Sequence, residues 1–293
     1  MLFSMIEKVY IIVFKSYKKI KNIFYFVLIA MQLDKFYTSP SIAELCCDLV
    51  QKHISIGQND VCIEPSAGNG SFIKPLKKIF SKCYFYDIEP EHISIKKQNF
   101  LTIDPTKFIQ HNVHIIGNPP FGNNSSLAIK FIKKSTFAST IAFILPRSFK
   151  KNSMKRFFPP NFHLISEYDL PKNSFLHDNE IFDVNCVFQI WQKKSFNRPM
   201  PVKLIPKGYV FVNQNSKHHI SIKRVGHKSG EISKNTSQKS KQTHYFIRFD
   251  KFDNSLYQKL NNMVFETKYF TSGPKSISKQ DIIKKINYLL VKA

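Results

Sequence analysis

The segment Asn118-Pro119-Pro120-Phe121 closes an apolar run, His114 to Ile116, with Gly117 between them. Asn118 offers a side-chain carbonyl as an acceptor. Pro119 has no N–H but keeps a backbone carbonyl free to accept. Two carbonyls held by a rigid Pro-Pro turn can take both hydrogens of one planar amine. That draws the nitrogen lone pair out of conjugation, as methylation of an exocyclic amine requires. Phe121 supplies a flat face on which a base can stack. Taken alone, the segment also fits a proline-rich turn with a core phenylalanine.

Two further pieces precede it. In EPSAGNGSF (64–72), Gly68 and Gly70 permit close backbone approach to a ligand and a turn that a β-carbon would not tolerate. No third glycine completes a dinucleotide fingerprint, so by itself this stretch also fits a plain strand–helix turn. Asp87 closes CYFYDI, 23 positions after Glu64. Nucleotide-binding α/β folds place there the acid that grips a ribose diol, and a carboxylate can accept from both hydroxyls. After a short polar stretch come Asn99 and Phe100. Asn99 can pair with the amine of an adenine ring and Phe100 can pack on its face, or the two form an ordinary loop with a core phenylalanine.

These pieces need a scaffold that brings strand ends together. SPSIAELCCDLVQKHI (39–54) has a helical apolar period, with Ser39 or Ser41 as cap and Pro40 in the first turn. DVCIEP (60–65), CYFYDI (83–88), HIIGNPPFG (114–122) and TIAFILP (140–146) read as strands, with helices after the glycine turn and over 125–135. HLISEYDL (163–170) and DVNCVFQIW (183–191) are a strand pair with little helix between them. Strand–helix alternation followed by a strand pair predicts an α/β sheet, mostly parallel, with helices on both faces. Further on, 203–212 and 244–249 read as strands of a smaller element, and 228–244 reads as a mobile polar loop. Ser278 and Asp281 cap a last helix.

Together these residues resemble the adenine-specific N6 methyltransferases of the class I, S-adenosylmethionine-dependent fold. The resemblance covers about residues 34–192. KFYTSP (35–40) resembles the family's amino-terminal motif, which implies that Tyr37 and Thr38 contact the methionine end of the cofactor. EPSAGNG resembles motif I, assigning Glu64, Ser66, Ala67, Gly68 and Gly70 to the cofactor; YDIEP resembles motif II, adding Asp87 and Ile88. Asn99 and Phe100 take the adenine by this resemblance, although the family often has Asp where Asn99 stands. NPPF resembles catalytic motif IV, so Asn118, Pro119, Pro120 and Phe121 carry the chemistry. The motif order is that of the gamma arrangement of DNA amino-methyltransferases. The implied fold is a Rossmann-like, mostly parallel seven-stranded sheet with a small basic C-terminal extension. The implied cofactor is S-adenosylmethionine, with no metal. Methylating a base also implies a target flipped from the stack or single-stranded.

Composition narrows the partners. The 293 residues carry 44 basic and 20 acidic side chains, a net charge of +24. Residues 193–293 hold 21 basic and 5 acidic side chains, so most of the excess lies in the last third. That balance points to a polyanion, nucleic acid ahead of a membrane surface, or else to a solvated lysine-rich face. Arg147, Lys150, Lys151, Lys155 and Arg156 follow the strand after NPPF, where they can hold phosphates or form a solvated basic turn. The chain divides into an extension (1–30), a catalytic domain (31–195) and a basic module (196–293). The extension's apolar runs are too short to span a membrane. Met31 is read as the functional start, the alternative being a basic amphipathic helix on a membrane surface. Five cysteines without a C-x-x-C pair fit a reducing, intracellular compartment. The absence of H-E-x-x-H, G-x-S-x-G and Walker A motifs excludes metalloprotease, serine hydrolase and P-loop NTPase readings. DNA is the expected substrate. RNA, at adenine N6 or guanine N2, is the alternative; others are a non-catalytic nucleic-acid binder and a modification subunit served by a specificity partner.

Overall fold

The computed structural model describes residues 36–177, 180–270 and 274–291, so the readings of segment 1–30 and of Met31 lie outside the described residues. The chain runs through β1 (Tyr37–Thr38), α1 (Pro40–His53), β2 (Val61–Glu64), α2 (Ile73–Ile79), β3 (Lys82–Asp87), β4 (Lys96–Lys97) and β5 (Val113–Gly117). It continues through α3 (Ser126–Lys134), β6 (Thr140–Pro146), the single turn α4 (Asn152–Lys155), β7 (Phe162–Asp169), β8 (Phe175–His177), β9 (Glu180–Phe182) and β10 (Cys186–Lys193).

Seven of these strands form one sheet in the order β4-β3-β2-β5-β6-β10-β7. All are parallel except β10, which lies antiparallel between β6 and β7. The expected mostly parallel seven-stranded sheet is therefore present. Strands β2, β5 and β6 are buried along their whole length, which explains their unbroken apolar runs. Their alternate residues feed two cores. Cys62, Ile116, Ala142 and Ile144 join Ile42, Cys46 and Val50 of α1 and Leu76 of α2 on one face. Ile63, Ile115, Ile141 and Phe143 join Ala128, Phe131 and Ile132 of α3 on the other. After β2 the chain builds outward to β3 and β4, then returns to start the other half at β5. This reversal leaves a crevice at the carboxyl ends of β2 and β5, where open α/β sheets bind ligands.

The link between β7 and β10 is a hairpin, β8–β9, and β8 also pairs with β1. Beyond residue 200 come β11 (Tyr209–Val212), β12 (Ile220–Lys223), β13 (Ile232–Ser233), β14 (His244–Phe249), α5 (Asn254–Asn261) and α6 (Lys279–Val291). The four strands make an antiparallel sheet, β11-β14-β12-β13, over a third core that includes Leu260, Ile282 and Ile286.

Some local readings change. The strand expected over 203–212 begins only at Tyr209, after Gly208 at φ +76. Segment 228–244 is not loop throughout, because buried Ile232 pairs with Ile222 across β12 and β13. Ser39 makes no side-chain cap on α1. The Ser278–Asp281 box does form, Asp281 N donating to Ser278 Oγ at 3.1 Å and Ser278 N to Asp281 Oδ2 at 2.8 Å. No described helix is long and apolar enough to cross a membrane.

Candidate active site

A cavity of about 450 Å³ opens at the carboxyl ends of β2 and β5, within the size range of small-molecule sites. A larger cleft of about 540 Å³ lies at the opposite edge, between the end of α1 and Gly57–Gln58. That edge precedes the strands and carries none of the residues singled out above.

The glycine turn forms the cavity's floor. Gly68 has φ +51, and a β-carbon there would lie 2.7 Å from Cε1 of Tyr37. Only glycine lets the turn tuck beneath that ring. The turn is pinned from β3, since Gly68 N donates to Asp87 Oδ2 at 2.8 Å. Asp87 Oδ1 accepts from Glu89 N, also at 2.8 Å. Tyr37 in turn donates its hydroxyl to Glu91. Burial first, and then the bond to Glu91, push the Tyr37 phenol above its ordinary range.

The NPPF segment is held from two sides. Ser66 Oγ donates to the backbone carbonyl of Asn118 at 3.0 Å, linking the glycine turn to the end of β5. The Asn118 side chain donates Nδ2–H to the backbone carbonyl of Phe36 at 3.1 Å. A backbone carbonyl can only accept, so this contact fixes the amide orientation and leaves Oδ1 as the free acceptor. Asn118 lines the cavity, and its Oδ1 is buried without a partner.

Two more orphaned polar atoms belong to cavity-lining residues, Thr38 Oγ1 and Glu64 Oε2. A buried polar atom left unpaired carries a desolvation cost, and all three of these belong to residues around the one cavity. The charge of the lining is specific. Among the described residues, Glu64, Asp87 and Glu89 line the cavity and no Lys, Arg or His does. In a chain of net charge +24 this acidic lining suits a cationic ligand and opposes a pyrophosphate. The Glu64 carboxyl is held well above the usual carboxylate range, by burial first and then by Asp87 and Cys83. A ligand cation would stabilise its ionised form.

The structure brings most of the expected cofactor residues to this cavity. Tyr37, Thr38, Glu64, Ser66, Ala67, Gly68, Asp87, Ile88, Asn99, Phe100, Asn118 and Pro120 all line it. Gly70, Pro119 and Phe121 do not; Gly70, at φ +89, shapes the turn, Pro119 is buried, and Phe121 packs against the first core. Phe100 stacks on Phe131 with ring centroids 5.6 Å apart. The Asn99 side-chain oxygen accepts from Leu101 N at 3.0 Å, so its amide N–H groups are the part left for a ligand.

The basic segment is placed differently from the cavity residues. Arg147 and Lys150 face Asp169, with Lys150 Nζ 2.8 Å from its carboxylate. Lys155 pairs with Glu167 at 2.8 Å, and Lys151 donates to the Ser276 carbonyl at 3.2 Å. Arg156 is exposed and lies over the Phe157 ring. Phe36, which lines the cavity, and Phe182, which packs on its ring, are absent from the sequence reading. Their rings meet at 5.6 Å beside the Asn118 anchor, and Phe182 is 40% exposed. The apolar pair Ile181–Phe182 between charged neighbours is the only sequence signal for it. Among the described residues no cluster of His, Cys, Asp or Glu could hold a metal ion, and all five cysteines are free.

No protein-family model matches the chain, and no curated protein does. Solved structures, three of them carrying provisional descriptions, are similar to it. An RNA methyltransferase from Pyrococcus horikoshii is 14% identical, over 56% of this chain and 88% of that one, with a TM-score of 0.45. A modification subunit of a type I restriction enzyme from Vibrio vulnificus is 14% identical, over 61% and 50%, with a TM-score of 0.43. A class I S-adenosylmethionine-dependent methyltransferase from Listeria monocytogenes is 15% identical, over 56% and 62%, with a TM-score of 0.42.

Proposed function

We propose that this chain is an S-adenosylmethionine-dependent methyltransferase acting on the exocyclic N6 amine of adenine in nucleic acid, with DNA as its substrate. The observation that carries the reading is the fixed amide of Asn118, whose oxygen has no partner, on a residue lining a cavity whose charged lining residues are all acids. S-adenosylmethionine supplies an electrophilic methyl group on a sulfonium. In this reading Glu64 and Thr38 take the methionine end, Asp87 the ribose, and Phe100 the face of the adenine. The glycine turn 66–70 lets the backbone approach closely. Asn118 Oδ1 is assigned one hydrogen of the target amine, and the carbonyl of Pro119, a residue outside the cavity lining, the other. They orient its lone pair and stabilise the positive charge that grows on nitrogen. The surplus proton leaves to water, because neither carbonyl is basic enough to keep it. Phe36 and Phe182 offer ring surface beside the amide for an unstacked base.

The test is transfer of labelled methyl to duplex DNA, single-stranded DNA and mixed RNA, each digested to nucleosides and resolved by mass spectrometry. N6-methyldeoxyadenosine is the expected product. Methylated adenosine or guanosine from RNA alone would keep the chemistry and replace the substrate. Absence of S-adenosylmethionine binding would overturn the reading.

A further inference from the structure

Tyr269 stands 48% exposed between two buried anchors of the third core, Phe265 and Ile277. It ends the single 3-10 turn Glu266–Tyr269. Ser276 and Ile277 are tied to the small sheet, Ile277 N donating to the Arg224 carbonyl at 2.9 Å and Val225 bridging to Ser276. The turn that carries the ring starts from Phe265, which is buried in the third core. Two ammonium groups lie over it, Lys268 Nζ at 5.2 Å and Lys275 Nζ at 4.8 Å from the centroid. The neighbouring Phe270 meets Lys150 Nζ at 5.3 Å, and Lys151 donates to Ser276. Lys150 and Lys151 follow β6 directly at its carboxyl end, and β6 is the strand beside β5, which carries Asn118. This exposed aromatic with its lysines thus stands at the same sheet edge as the candidate active site.

We infer that Tyr269, with Lys268 and Lys275, is a stacking clamp for single-stranded nucleic acid next to the target base. The inference rests on the function proposed above and adds how the polynucleotide is held. An exposed cation–π contact is worth roughly half or less of the free energy of a base stacked on an aromatic ring. An incoming base therefore displaces an ammonium from the ring face. The displaced lysine stays within reach of the phosphates flanking that base. Stacking tolerates any base, so the clamp grips without reading sequence. A duplex keeps its bases stacked on each other and offers nothing to this ring.

The test measures binding of the full chain to fluorescent 12-nucleotide DNA and RNA single strands and to duplex DNA, with S-adenosylmethionine affinity measured in parallel. Tyr269→Ala should weaken single-strand binding about tenfold, and Tyr269→Trp should restore it. Lys268→Gln with Lys275→Gln should flatten the log–log salt dependence by about 1.4, two phosphate contacts at roughly 0.7 each. The control pair Lys107→Gln and Lys133→Gln removes the same charge at the opposite sheet edge. The proposal is overturned if Tyr269→Ala binds single strands within twofold of the parent chain, or if the control pair flattens the salt dependence equally. Binding of duplex as tightly as of single strands also overturns it. The DNA and RNA arms separate the two sources of the same chemistry. Loss of S-adenosylmethionine binding in the parent chain would strike the proposed function instead, independently of the clamp.

Discussion

The side-chain amide of Asn118 donates to the backbone carbonyl of Phe36, 82 positions earlier in the chain, at 3.1 Å. This one contact decides which end of the amide is left for a substrate. Asn118→Ala should lower methyl transfer at least a hundredfold, about 2.7 kcal/mol or more of transition-state stabilisation. S-adenosylmethionine affinity should stay within about threefold. Asn118→Asp keeps an acceptor but has no hydrogen for Phe36, so it should fall between. Single-turnover rates beside calorimetric binding distinguish these outcomes, and full activity in the alanine variant would remove Asn118 from the chemistry.

Asp87 has two structural jobs besides the one proposed for it. Its oxygens accept from the backbone of Gly68 and of Glu89. Asp87→Ala should therefore cost ~1–3 kcal/mol in stability by leaving those donors without an acceptor. It should also weaken cofactor binding by a similar energy. Thermal melting and calorimetry report the two losses separately. A lowered melting temperature with unchanged affinity would confine Asp87 to shaping the turn.

Glu64, if it meets a cationic cofactor as proposed, should make that binding depend on pH. Its folded pKa lies above its unfolded value. Its contribution to stability is therefore fully present below the ordinary carboxylate range and is lost as pH rises through the folded value. A bound cation favours the ionised form, so binding releases a proton. Affinity should rise with pH up to the folded pKa and level off above it. Glu64→Gln should abolish that rise; isothermal titrations across pH, in buffers of different ionisation enthalpy, measure the proton release directly.

Gly68→Ala places a β-carbon 2.7 Å from the Tyr37 ring at a φ of +51. The left-handed backbone alone costs ~1–2 kcal/mol, and the ring must also move. Lower stability together with weakened cofactor binding is expected. Tyr37→Ala in the same chain should recover part of the binding by clearing the clash.

Within the basic turn after β6, Asp169 and Glu167 engage three of the five cations expected to hold phosphates, and the Ser276 carbonyl takes a fourth. Arg156 is exposed and lies over an aromatic ring, with no carboxylate partner among the described residues. Arg156→Gln should thus weaken polynucleotide binding more than Lys150→Gln does. Equal effects would show that the paired lysines reorganise on binding.

The glycine turn, the spaced Asp87 and the NPPF segment were legible because each is a local solution to turning the backbone at a strand end. The short unbroken apolar runs in TIAFILP and VCIE, each leading into a turn, made the sheet legible in the same way. The anchor on Phe36 was not, since a backbone carbonyl has no side-chain signature. Nor was the neutralisation of Lys150 and Lys155, which depends on β7 lying beyond β10 at the far edge of the sheet. Strand β13 was hidden because one buried Ile232 among polar residues gives no period. The acidic lining was invisible in a composition dominated by lysine, since a net charge says nothing of where the few carboxylates converge.

Phe36 precedes every strand of the main sheet in the chain, yet its carbonyl orients the amide at the centre of the proposed reaction. In that reading the backbone at Phe36 acts as a throttle. A proteolytic nick just before Tyr37 would leave the main sheet in place while letting the amide spin. Such a protein would load its cofactor and turn over slowly, and two preparations with the same folded core could differ widely in rate for a reason located only at Phe36.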